Sequence, residues 1–327
     1  MTESVFTGSR TRREASMTSI LLNSRFEHGR VFVEYPARDG TPFECLADTC
    51  AGLVLNENVV AIFNLPKTAF TAFPGTEHET KGDAVPLPAI IDPTAFPMPR
   101  GPRRLTKSHA TASVPEGHAL VSPAEGHLAS GLLGECWFGN RVWTIDYMKK
   151  EFWWHPLDQP PHQFISGAVS LPMYFQCDTE GRRLASFPVI EVELDGAAVP
   201  MLLDTGLTNH LTDSALVELN DGLPSVRSGS FINISLLHSL KAKHPHWRIL
   251  RDTYKRFYSG MMQVESVRAG NVELGPIWFT ALQDNAHTYD PDFQGRRPQG
   301  LLGGNAFQSC VLTLDYVRGI AHLQPPR

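Results

Sequence analysis

No stretch of this 327-residue chain stays apolar for the roughly 18 residues that a membrane-crossing helix needs, so no spanning helix is expected. Blocks of a single charge are missing as well. Lys and Arg number 29 against 34 Asp and Glu, a net charge of −5. Without a basic stripe, nucleic acid is not expected as a partner. Cysteine is scarce: Cys45, Cys50, Cys136, Cys177 and Cys310 make an odd number with no Cys-x-x-Cys spacing. That reads as reduced thiols rather than a disulfide framework, although two bridges and a spare thiol would fit the same count. His-Glu-x-x-His, Gly-x-Ser-x-Gly and phosphate-loop motifs are absent, which removes the corresponding metalloprotease, serine hydrolase and nucleotide-binding classes. Arg12-Arg13 is followed by no apolar segment, so residues 1–16 read as a disordered tail rather than an export signal, and the chain is expected to be cytoplasmic. What is present, 42% hydrophobic and 19% charged residues, suits a globular chain long enough for two domains with their own cores.

The stretch that organises the chain is Val199-Pro200-Met201-Leu202-Leu203-Asp204-Thr205-Gly206-Leu207. Its apolar run predicts a strand buried on both faces, and it delivers a carboxylate at its end. Such a charge is costly unless hydrogen bonds or chemistry require it. Gly206 permits a sharp turn and close approach. Thr212 and Asp213 then predict the start of a helix through Leu219.

The same passage occurs twice. At an offset of 156, Asp204-Thr205 maps onto Asp48-Thr49, Leu202 onto Leu46, Val189 onto Val33, and the Asp195-Gly196 hairpin turn onto Asp39-Gly40. At an offset of 169, Gly300-Leu301-Leu302-Gly303 maps onto Gly131-Leu132-Leu133-Gly134. Behind that block, Phe307, Val311, Thr313, Asp315, Tyr316 and Pro325 repeat Phe138, Val142, Thr144, Asp146, Tyr147 and Pro156. Two blocks in the same order at nearly the same separation mark an internal duplication. Two strand-end acids in halves related by a rough two-fold can meet on its axis. Carboxylates held that close share one proton, an arrangement suited to activating a water and polarising a carbonyl without metal or cofactor. The second duplicated acid pair, Asp146 and Asp315, follows alternating apolar residues and reads as turn hydrogen bonding.

On Leu203-Asp204-Thr205-Gly206, Ala47-Asp48-Thr49 and the later Leu-Leu-Gly and Asp-Tyr segments of each half, the chain resembles the pepsin-like and retroviral-type aspartic proteases in a single-chain form. The resemblance implies an all-β, two-lobed acid-protease fold with short helices. It implies an aspartic endopeptidase with Asp48 and Asp204 as the catalytic pair. Thr49 and Thr205 would bond across to the opposite loop, and Cys50 and Gly206 would complete the support. Cys50 is a departure, since the family has glycine there against the substrate. A cysteine would narrow the cleft and offer an oxidisable thiol. It also leaves open a catalytically inactive relative acting as a peptide-binding or scaffold module. Ala51 and Leu207 stand where pepsin-type sequences often carry a hydroxyl, so the pair should be less acidic, with a working pH of roughly 5 to 7.

The expected organisation is a tail over 1–16, an N-terminal lobe over 17–156, a proline-rich linker over 157–168 and a C-terminal lobe over 169–327, acting as a monomer on a peptide or protein substrate. A flap is expected between residues 66 and 130. It lacks the family's tyrosine, for which Phe70, Phe73 or Phe96 would have to substitute, and Tyr258-Ser259-Gly260 is a candidate second flap tip. His210 and the His244-Pro245-His246-Trp247 run read as surface features, with no third ligand for a metal.

Overall fold

The computed structural model describes residues 18–37, 39–72, 80–87, 103–107, 110–114, 118–122, 130–157, 161–254, 260–284 and 293–325. It is built from β-sheet with short helices, and no helix among the described residues is long and apolar enough to cross a membrane. The expected tail lies outside the described residues.

Each half forms one large sheet. In the first, the strands run in the order Ser24–Glu27, Arg30–Pro36, Pro42–Ala47, Gly131–Leu133, Val54–Asn56, His118–Ser122, Thr80–Pro86, Thr68–Ala72. In the second, Val189–Leu194, Ala197–Asp204, Gly300–Gly303, Ser230–Asn233, Ile277–Leu282, Met261–Val264 and Ile249–Leu250 follow in the matching order. Parallel and antiparallel pairings agree step for step. Leu46 lies opposite Leu132 and Leu202 opposite Leu301, so the two sequence offsets meet in one register. The duplication is therefore structural as well as textual.

One mapping is corrected. Leu46 pairs with Phe32, whereas Leu202 pairs with Val189, so the counterpart of Val189 is Phe32 and not Val33. The cause is hairpin length. In the second copy Leu194 pairs with Ala197 around Asp195 (φ 51°) and Gly196 (φ 82°), the left-handed pair of a two-residue turn. In the first copy the closing bond runs from Ala37 N–H to Thr41 O at 2.9 Å, enclosing one residue more. Pairing then shifts by one, and Val33 takes the core position that Ile190 fills in the other lobe.

A third, six-stranded sheet draws on both halves, with Val142–Asp146 antiparallel to Val311–Asp315 at its centre. Thr144 faces Thr313, its own repeat, with the hydroxyl oxygens 2.8 Å apart. Only residues on a two-fold axis face their own copies, so the axis passes here. Asp146 and Asp315 are turn formers, as expected. Asp146 Oδ1 accepts from the amides of Met148 and Lys149, and Asp315 Oδ1 from those of Val317 and Arg318. Trp137, Phe138, Trp143 and Phe152 cluster above this sheet and are fully buried. Trp153 packs against Phe164 with ring centroids 5.8 Å apart and planes tilted by 46°, a packing role.

Local signals hold where caps define them. Asn56 accepts from Val59 N–H at 3.0 Å to start the helix Glu57–Ile62, and Thr212 accepts from Ala215 N–H at 3.2 Å to start Asp213–Leu219.

His155 extends the polar line at the axis. Its Nε2 lies 2.8 Å from Thr144 Oγ1 and its Nδ1 2.8 Å from Ser19 Oγ. Burial lowers its pKa from the ordinary 6.5 to about 4. A base with a lowered folded pKa contributes stability above its unfolded pKa and loses it as pH falls toward the folded one. Between pH 6.5 and 4 the protein is therefore expected to lose about 2–3 kcal/mol through this residue. Gln324 is its repeat in the second copy. Urea unfolding at pH 7 and pH 4.5 should show a smaller acid loss in His155→Gln than in the parent chain. Equal losses would remove this residue from the acid response.

Candidate active site

The strands Pro42–Ala47 and Ala197–Asp204 lie beside Gly131–Leu133 and Gly300–Gly303, and deliver Asp48 and Asp204 from opposite lobes. Apolar residues fill these strands because both faces are covered: Leu46, Ala47, Leu202 and Leu203 are fully buried. Leu133-Gly134 and Leu302-Gly303 then pass under the turns. A Cβ on Gly134 would fall on the carbonyls of Ala51 and Gly52, and one on Gly303 on that of Gly229, so only glycine fits.

The loops lock reciprocally. Thr49 Oγ1 donates to Leu203 O at 2.6 Å and accepts from Thr205 N–H at 3.1 Å. Thr205 Oγ1 donates to Ala47 O at 2.8 Å and accepts from Thr49 N–H at 3.2 Å. Each hydroxyl thus uses one donor and one acceptor across the interface. Both residues are fully buried, where an unmade bond is expensive.

The acids meet. Asp48 and Asp204 are 9% and 6% exposed, and their carboxyl groups share a hydrogen bond. Asp48 Oδ1 accepts from Cys50 N–H at 2.9 Å, and Asp204 Oδ1 from Gly206 N–H at 3.2 Å. Burial, then the charge of Asp48, then the shared hydrogen bond raise the pKa of Asp204 well above the ordinary carboxylate range, against amides that favour its ionised form. A Cβ on Gly206 would land on the Asp48 carboxyl group, so glycine is required on that side.

Cys50 does not behave as the sequence suggests. Its sulfur donates to Leu203 O at 3.2 Å and joins an apolar cluster with Ala185, Phe187, Val189, Leu202 and Phe293. The side chain is spent on lobe-to-lobe packing. Burial, then the charges of Asp204 and Asp48, raise its pKa well above 9, far from the thiolate that oxidation needs.

Sequence reasoning found the recurrence of Tyr147 and Tyr316 but gave them no role. Both are buried, and neither hydroxyl has a hydrogen-bond partner among the described residues. Burial and then Asp204 raise the pKa of Tyr147; burial and then Cys50 raise that of Tyr316. Each directly follows a central strand of the six-stranded sheet, Tyr147 after Val142–Asp146 and Tyr316 after Val311–Asp315. Glu135, also unread, is 4% exposed and accepts from Ser186 N–H at 2.9 Å, tying the lobes together.

The edge hairpin Thr68–Ala72 with Thr80–Pro86 has a counterpart in Ile249–Leu250 with Met261–Val264. Phe70 lies in the first and is half-buried; Phe73, Phe96 and Tyr258-Ser259 lie outside the described residues. His210 sits in the strand Thr208–His210, and His244 bonds Asp195 at 2.7 Å while stacking on Trp247. No group of three His, Cys, Asp or Glu among the described residues fits a metal ion.

No protein-family model matches the chain, and no curated protein matches it. Among solved structures it is similar to an aspartic proteinase from Irpex lacteus, at 10% identity over 94% of this chain and 98% of that one, with a TM-score of 0.49. It is also similar to conglutin gamma, a basic 7S globulin from lupine seeds, at 10% identity over 94% and 95%, TM-score 0.46, and to the basic 7S globulin from soybean, at 10% over 94% and 95%, TM-score 0.44. These likenesses carry neither an activity nor a substrate to this chain.

Proposed function

We propose that the chain is an aspartic endopeptidase whose acid pair is Asp48 and Asp204. What supports this reading above all is the hydrogen bond between two buried carboxyls delivered by duplicated strand ends. Two such groups cannot both ionise, so they hold one proton between them. The ionised member takes a proton from a water whose oxygen bonds to the scissile carbonyl carbon. The protonated member gives its proton to the carbonyl oxygen, forming a gem-diol. Collapse breaks the C–N bond: the nitrogen receives the proton held by one acid while a gem-diol hydroxyl gives its proton to the other, so that the carboxylic acid and amine leave and the pair again holds one proton. The substrate would lie extended between the lobes, pairing its backbone with the flanking strands.

The absence of hydroxyls at Ala51 and Leu207, the raised proton affinity of Asp204 and the acid-sensitive His155 all support work at roughly pH 5 to 7. Incubation with an unbiased peptide library across about pH 3 to 8 tests the reading. Cleavage peaking in the weakly acid range, blocked by a pepstatin-type inhibitor, is expected. No cleavage at any pH and no inhibitor binding would instead favour a peptide-binding module on the same fold. A peak below about pH 3 would contradict the tuning argument.

A further inference from the structure

The strands Thr208–His210 and Val226–Ser228 form a two-stranded sheet beyond the Gly206 turn, and their register sets Asn209 directly opposite Arg227. Directly opposed residues share a face of the sheet. Both side chains line a cavity of about 170 Å³ at the junction of the two halves, to which the first half contributes His28 and the second the rest. The junction is tight beside it: Ser228 N–H donates to His28 O at 3.0 Å, and a Cβ on Gly304 would fall on Gly29 O. No residue of the two acid-bearing loops lines this cavity, so it is a separate feature of the fold.

Its polar walls are rich in donors and poor in acceptors. Arg227 is 7% exposed, and its one hydrogen-bond partner among the described residues is Asp221, reached from Nη1 at 2.6 Å. A guanidinium carries more N–H donors than one carboxylate oxygen can use, so part of the fork is left over. Asn209, 2% exposed, accepts through Oδ1 from Thr280 Oγ1 at 3.2 Å. Asn305, another lining residue, accepts through Oδ1 from Ser230 Oγ at 2.7 Å, while Ser230 Oγ accepts from Gly303 N–H at 3.0 Å. Both amides thus spend their oxygens inside the protein, and neither NH2 group has an acceptor among the described residues. Buried donors left unmatched are costly, and only an acceptor answers them. Much of the remaining wall is apolar, with Leu219, Met261, Ile277 and Trp278. We propose that this cavity binds a small carboxylate carrying a short apolar body. The head matches the guanidinium fork and the two amides, and the body matches the apolar wall. Size sets the limit. An engineered cavity of about 150 Å³ takes up benzene, so this one admits a benzoate-sized acid or the last residue of a peptide. Asp221 competes for the same guanidinium, but its side chain is 36% exposed, so water and salt screen its charge.

The test is binding to the full chain, and it needs neither the acid pair nor proteolysis. Calorimetric titration with benzoate is expected to give a Kd of about 0.1–1 mM, and benzamide, alike in shape but uncharged, should bind at least about tenfold more weakly. In 15N-labelled protein, benzoate should move the Arg227 Nε–H signal together with the side-chain NH2 signals of Asn209 and Asn305. Arg227→Lys keeps the charge without the fork and should weaken benzoate about tenfold. Asp221→Asn removes the competing carboxylate and should tighten benzoate about threefold or more, which a purely structural ion pair would not produce. Because Asp221 is partly exposed, that variant keeps the test decisive should Arg227→Lys fail to fold. An acetylated tripeptide ending in free leucine, titrated beside its amidated form, separates the two sources. Binding of the free-acid tripeptide tighter than benzoate assigns the site to a peptide end, and weaker binding assigns it to a free acid. No binding of either acid at about 10 mM, equal binding of benzamide, or a benzoate affinity unmoved by Asp221→Asn would overturn the inference.

Discussion

If the chain is the endopeptidase proposed above, replacing Asp204 with Asn is expected to lower kcat/KM for peptide cleavage by about 10²–10⁴-fold, the range for loss of one acid–base group, and to leave the protein folded. The amide keeps the shape of the carboxyl and can still accept from the Gly206 and Leu207 amides that Asp204 engages. It cannot exchange a proton with Asp48. Stability should move the other way. A carboxyl with a raised folded pKa stabilises fully below its unfolded pKa, and that contribution is lost as pH rises through the folded value. At pH 7 the buried pair is therefore a burden, and Asp204→Asn should melt no lower than the parent. Thermal melts at pH 7 alongside the kinetics check both halves. A variant that loses activity only because it unfolds would remove the catalytic interpretation, and one that keeps full activity would end it.

The second large effect is expected at Thr205. Thr205→Val keeps the volume but deprives Ala47 O of its donor and Thr49 N–H of its acceptor, both buried. At about 1–3 kcal/mol for each stranded group, the loss should reach about 2–4 kcal/mol in urea unfolding. The same variant should lower kcat more than it raises KM, because the loop carrying Asp48 loses its anchor. Thr205→Ser restores both bonds and should recover most of the stability. Thr49→Val and Thr205→Val belong to one network, so their combined cost should differ from the sum of the two. Additive and small losses would mean that the interface is held by its apolar packing alone.

The acid pair was legible because strand burial and the Asp-Thr repeat both depend on residue type, and repetition at 156 and 169 residues raised a weak tripeptide to a strong signal. The helix start at Thr212 was legible for the same local reason. The hairpin register was not: a one-residue difference in turn length is set by backbone geometry, and both turns read Asp-Gly. The strands Thr68–Ala72 and Thr80–Pro86 were hidden because their residues alternate poorly and many are exposed. Cys50 was misread as cleft-narrowing because the sequence says that a side chain is present, not which lobe receives it. Its destination is fixed by Phe187 and Phe293, distant in sequence. Thr144 and Thr313 were visible as a recurrence, but their meeting on the axis required the antiparallel pairing of two strands that the linker separates.

The most direct test of the central claim is peptide cleavage in H₂¹⁸O under single-turnover conditions, followed by mass spectrometry of products and protein. A water activated between Asp48 and Asp204 puts one ¹⁸O into the new C-terminal carboxylate and none into either aspartate. Product without label, or label in an aspartate side chain, would contradict the account.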